Sequence, residues 1–74
     1  NPSTKISWQS PVPGHQTIKI YDVLGNEVAT LVDEEKDRGV YSINFDASGL
    51  ASGIYFYKLQ VGNLTETKKM ILLR

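Results

Sequence analysis

Cysteine is missing from this 74-residue chain, so neither a disulfide nor a thiolate metal site can support the fold. An excess of either charge is missing too: eight Lys and Arg balance eight Asp and Glu. A nucleic-acid surface carries a basic excess, so nucleic acid is not expected as a partner. No apolar run approaches the roughly 20 residues of a membrane-spanning helix, and no lipidation motif or signal peptide is present. Direct membrane insertion is therefore not expected. Catalytic sets are equally scarce. His15 is the sole histidine, and it stands in a Pro/Gly-rich break, where a solvated side chain is the ordinary reading. There is no Gly-x-Ser-x-Gly elbow, no phosphate-cradling glycine loop before a helix and no His-x-x-His pair. The chain reads as a non-enzyme without cofactor or metal.

What the chain does have is alternation. Helical periodicity is absent, while apolar and polar residues trade places every second position, the period of a half-buried strand. Thr4, Ile6 and Trp8 alternate with Lys5, Ser7 and Gln9 until Pro11, Pro13 and Gly14 break the run. Thr17 to Val23 predicts a second strand with Ile18 and Ile20 inward, and Asp22 predicts a bulge or strand end near Tyr21–Asp22. A tight turn at Leu24-Gly25-Asn26-Glu27 leads into a third strand, Glu27 to Val32. Asp33 to Gly39 reads as a charged loop; its carboxylates could hold calcium but lack EF-hand spacing, so solvation is the favoured reading.

Val40 to Phe45 predicts a strand with Tyr41, Ile43 and Phe45 on one face. The loop from Asp46 to Gly53 carries one large apolar residue, Leu50, expected to plug the end of the core. In the strand Ile54 to Val61, Tyr55, Tyr57, Leu59 and Val61 face one way and Phe56 the other, which makes Phe56 the aromatic expected at the surface. Gly62-Asn63 forms the next turn, and Leu64 to Leu73 the last strand. Asn63-Leu64-Thr65 also matches a glycosylation acceptor, but the turn explains it.

The pattern predicts an all-β fold, an immunoglobulin-like antiparallel β-sandwich of about seven short strands with hairpins at strands two–three and five–six. Gly25, Gly39, Gly49, Gly53 and Gly62 are expected in turns or at positive φ, and Leu50 and Tyr55 in the core. A domain this small buries only about 60% of its unfolded surface, so its stability margin is thin. The chain begins at Asn1 without methionine and reads as one domain, residues 1–74, excised from a longer protein.

The end of the chain is unusual. Lys68-Lys69-Met70-Ile71-Leu72-Leu73-Arg74 sets an apolar run behind two lysines at a terminus, where polar, frayed residues are the rule. Alternation would send Met70 and Leu72 inward and leave Ile71 and Leu73 outward, available to a partner.

Four segments together carry a family likeness. Asn1-Pro2-Ser3-Thr4 with Ile6 resembles the end of an Asn-Pro-Phe-Asn-Pro-Ser-Thr-x-Ile opening, whose leading Asn-Pro-Phe has no counterpart here. Ile20 to Val28 resembles a Tyr-Asp-x-x-Gly-x-x-Val hairpin, and Phe45 to Leu59 a Leu-x-x-Gly-x-Tyr strand lead-in. Thr67 to Arg74 resembles a basic-then-apolar ending. In this order the segments resemble the C-terminal sorting domain of cargo proteins of the type IX (Por) secretion system. The same sandwich also resembles the immunoglobulin-like domain of flagellar hook-capping proteins.

The sorting-domain resemblance implies a non-catalytic signal, monomeric and covalently attached behind a cargo domain. Outer-membrane secretion machinery would recognise it after passage through the periplasm. The cargo would end secreted or at the cell surface, the signal in many cases being cleaved and exchanged for surface anchoring. Lys68 through Arg74 would then be the recognition segment. A structural or carbohydrate-binding accessory sandwich is the alternative, with Trp8, Tyr21, Tyr41, Phe45, Tyr55, Phe56 and Tyr57 as a stacking platform.

Overall fold

The computed structural model describes residues 3–73, and all regular structure in them is β. Six strands form: β1 (Ser3–Ser10), β2 (Gly14–Tyr21), β3 (Glu27–Lys36), β4 (Gly39–Asp46), β5 (Gly53–Val61) and β6 (Leu64–Leu72). Every pairing is antiparallel. A two-stranded sheet, β1-β4, faces a four-stranded sheet of order β3-β2-β5-β6. The hairpins fall where the turn signals place them, β2–β3 and β5–β6, and the other connections cross between sheets. The result is an immunoglobulin-like sandwich with six strands rather than seven.

Alternation works because each sheet is wetted on one face only. The core takes Ile6 and Trp8 from β1, Ile18 and Ile20 from β2, Val32 from β3, Phe45 from β4, Tyr55, Leu59 and Val61 from β5, and Leu72 from β6. Trp8, 7% exposed, links the layers. Its indole Nε1–H donates to the buried Gln16 Oε1 across the sandwich at 3.0 Å, and its ring stacks on Tyr41 with centroids 5.7 Å apart. The Lys36 ammonium lies 4.7 Å from the Tyr41 ring centroid on the same aromatic cluster.

Several expectations need correction. The charged stretch is not a loop: β3 runs on through Asp33, Glu34 and Glu35 to Lys36, paired with β2 back to Gly14. β3 is an edge of its sheet, where charged side chains cost nothing and guard against unwanted pairing. His15 accordingly lies within β2, exposed beside the Asp33 carboxylate, and not in a loop. The register sends Asp33 and Glu35 to the face opposite Glu34, so these carboxylates do not converge on a cation.

β2 ends at Tyr21, leaving Val23 in the turn, and β6 ends at Leu72, leaving Leu73 beyond it. The extra residues of the β2–β3 ladder lie on β3. Ile18 opposes Val32 while Lys19 opposes Thr30, skipping Leu31; Ile20 opposes Ala29 while Tyr21 opposes Glu27, skipping Val28. The first bulge lets neighbours Leu31 and Val32 both touch the core.

Of the glycines, Gly25 (φ 87°) and Gly62 (φ 55°) occupy turn conformations that L-residues resist. Gly62 with Asn63, which has no positive φ, fits a type II′ hairpin. Gly53 has φ 153°, whereas Gly39 and Gly49 have no positive φ; Gly39 simply opens β4.

Candidate docking edge and outer sheet face

β6 pairs with β5 from Val61↔Leu64 to Gly53↔Leu72, and among the described residues no strand pairs with its other side. It is a free edge. Alternation divides its end as expected. Leu72 is 7% exposed and Met70 packs against the core, while Ile71 is 59% and Leu73 76% exposed. Lys68 and Lys69 stand in solvent; Arg74 lies outside the described residues.

The register brings distant segments together. Gly53, Ile54 and Tyr55 oppose Leu72, Ile71 and Met70, so the Leu-x-x-Gly-x-Tyr segment lies against the tail. Tyr21, at the mouth of the Tyr-Asp hairpin, opposes Phe56, and Ser3 and Thr4 oppose Asp46 and Phe45. The described parts of all four segments singled out in the sequence therefore meet at one end of the sandwich.

That end is held by local hydrogen bonds. Asp22 Oδ1 accepts from the backbone N–H of Leu24 and of Asn26, both at 2.9 Å. The Asp22 N–H donates to the Asn26 carbonyl, closing the hairpin around Gly25. These donors hold the Asp22 carboxyl below its ordinary range, the Asn26 N–H foremost. Asp46 is lowered likewise by the N–H of Ser48. Tyr55, buried, donates its hydroxyl to the Ala51 carbonyl at 2.9 Å, a tie from strand to preceding loop like a tyrosine corner. Leu50 is half-buried against the core, and its N–H donates to the Ala47 carbonyl.

The outer face of the four-stranded sheet near this edge went unread in the sequence. Reading across the ladders, Ile54 lies opposite Ile71, Tyr21–Phe56–Lys69 form the next row, and Lys19–Lys58–Thr67 the one after. Phe56 is half-buried rather than fully exposed. The β5 alternation already placed Ile54, Phe56 and Lys58 on one face; only the register shows what each opposes. As a sugar platform the aromatics fail to assemble, since Trp8, Phe45 and Tyr55 are buried in the core.

A family model described as the secretion system C-terminal sorting domain matches residues 1–73. The chain belongs to this family, the sorting domains of type IX secretion. No curated protein and no solved structure gives a significant match. Sorting domains of this kind are in general non-catalytic, and their role implies a secretion machinery as partner and a cargo domain attached. The match, which runs to Leu73, takes in the described parts of all four converging segments and thus the edge just described. Export to a secreted or cell-surface fate follows from the family.

Proposed function

We propose that this sorting domain is the C-terminal signal that directs a covalently preceding cargo domain from the periplasm across the outer membrane through the type IX machinery. The free edge of β6 is the recognition element. Its exposed backbone N–H and C=O groups exchange main-chain hydrogen bonds with a partner strand, Ile71 and Leu73 enter apolar sites, and Lys68, Lys69 and Arg74 orient the complex. After transport the signal is cleaved and the cargo released or anchored at the surface. The domain acts as a monomer.

One observation carries this reading: an edge strand, β6, whose last residues are divided alternately between core and solvent. Leu72 and Met70 are the part that ordinary folding explains, whereas Ile71 and Leu73 remain as exposed apolar side chains on an unpaired edge.

The test is export of a fluorescent protein fused ahead of residues 1–74. It is run in a host with the type IX system and in a translocon-null strain. Surface or medium fluorescence in the first strain only is expected. Retention of a folded fusion in the periplasm of both would sink the proposal.

A further inference from the structure

We propose that the outer face of β5 and β6 receives an extended, acidic segment of a protein partner, with Lys58 and Lys69 as the residues that read its carboxylates. This rests on the sorting reading above and names the chemistry of the partner.

Lys19 and Lys58 oppose each other directly across β2 and β5, both half-buried in the middle of the sheet. Like charges in directly opposed positions destabilise a sheet. Lys19 is partly relieved by Glu27, whose carboxylate lies 3.5 Å from its ammonium. Lys58 and Lys69 have no ion-pair partner among the described residues. Nor can their own strands supply one. The sole carboxylate of β5 and β6 is Glu66, which opposes the buried Leu59 and so belongs to the inner face. An anionic occupant would turn an unfavourable arrangement into a favourable one.

The spacing of this face suits an extended polypeptide. Rows of outward side chains on β5 recur every second residue, about 6.5–7 Å apart, which is also the repeat of one face of an extended strand. Ile54 with Ile71 forms an apolar row, Phe56 with Lys69 a mixed row, and Lys58 with Lys19 a cationic row. A strand laid along β5 would present, at successive facing positions, an apolar residue, an aromatic or acidic residue and an acidic residue. The free edge of β6 lies beside this strip and offers main-chain partners to a neighbouring stretch of the same partner.

The experiment compares the exported fluorescent fusion with its Lys58→Glu, Lys69→Glu and Lys5→Glu variants. Lys5 is exposed on β1, in the other sheet, so its reversal changes net charge equally without touching this face. Lys58→Glu and Lys69→Glu should each lower surface fluorescence about 5-fold or more without lowering the melting temperature of the purified fusions. Lys58→Glu should raise it slightly by giving Lys19 an opposite charge, and Lys5→Glu should leave export unchanged. Should Lys58→Glu melt early, exposed Lys69 still decides the matter. Full export of Lys69→Glu beside an exported parent overturns this inference, together with the orienting role given to Lys69 above, and leaves the export signal itself standing. A parent retained in both strains overturns both. The purified parent is also sedimented with vesicles of phosphatidylglycerol and phosphatidylcholine. Binding lost in Lys58→Glu and Lys69→Glu would overturn the protein partner in favour of an anionic lipid surface; no sedimentation is the result expected.

Discussion

Folding and recognition should come apart at adjacent residues of β6. Leu72 is 7% exposed, so Leu72→Ala removes a buried side chain near the end of a strand that can partly close over the gap. The cost should fall at the low end of the leucine-to-alanine range, about 2–3 kcal/mol. In a domain of this size that lowers Tm by about 8–24 °C. Ile71 is 59% exposed and keeps less than half of the benefit of a buried isoleucine, and Leu73, 76% exposed, keeps less still. Replacing both by threonine preserves β-branching at position 71 and should cost about 1 kcal/mol or less in the free domain. If the same side chains are buried on docking, the pair loses about 2–3 kcal/mol of binding, a 30- to 150-fold effect. Circular dichroism melting of the domain and export of the fluorescent fusion read the two effects separately. An Ile71→Thr/Leu73→Thr variant that melts normally but is exported poorly is the expected result. Full export of that variant, or a Leu72→Ala variant that melts like the parent, would refute the reasoning.

Trp8→Phe should cost about 2–4 kcal/mol in urea unfolding. It removes indole contacts and strips the fully buried Gln16 amide of the donor at 3.0 Å, and the Trp8→Phe/Gln16→Leu pair should recover part of that loss. Gly25 has φ 87° and open space around a would-be Cβ, so Gly25→Ala should lose about 1–2 kcal/mol through backbone strain alone, and Gly25→Asn less. Leu50 is only half-buried, so Leu50→Ala should cost about 1–2.5 kcal/mol, short of the full-burial range, as a shift in Tm. Asp22 and Asp46 both have depressed carboxyl pKa values, so they add stability above the ordinary carboxylate range, and it is lost as pH falls through their folded values. Urea midpoints taken from pH 5 down to pH 2 should fall less steeply for Asp22→Asn than for the parent.

How much of this was legible in the sequence depends on what wets each strand. β5 and β6 could be read because one face of each sheet is solvated, so Tyr55, Leu59 and Leu72 stand out from their neighbours by alternation alone. β3 could not be read to its end. Asp33, Glu34 and Glu35 are all exposed on an edge strand, and a pattern built on burial is blind to a strand that buries nothing there. The bulge at Val28 falls opposite Tyr21, where Asp22 breaks the alternation, whereas the one at Leu31 leaves no mark, since it depends on how β3 is pulled against β2. The last strand could be read because four apolar residues in a row cannot all face one core, so alternation leaves Ile71 and Leu73 outward. The Lys19–Lys58 and Ile54–Ile71 pairs could not, because they are facts of register between strands distant in sequence.

The convergence at one end of the sandwich limits what a tail deletion can teach. Met70 and Leu72 lie against Tyr55 and Gly53, and Tyr55 in turn ties the Leu50 loop through the Ala51 carbonyl. Removing the last residues would therefore open the core from its edge and loosen the Leu-x-x-Gly-x-Tyr segment. With two strands in the opposite sheet among the described residues, the domain has little surplus to absorb that loss. A truncated domain that fails to be exported has two sufficient explanations, unfolding and lost recognition, and the deletion cannot choose between them. Substitutions confined to alternate positions can, because on a strand the next side chain along answers to a different environment. The strongest evidence for recognition would be a folded domain, altered only at Ile71, Leu73 or Lys69, that the secretion machinery no longer accepts.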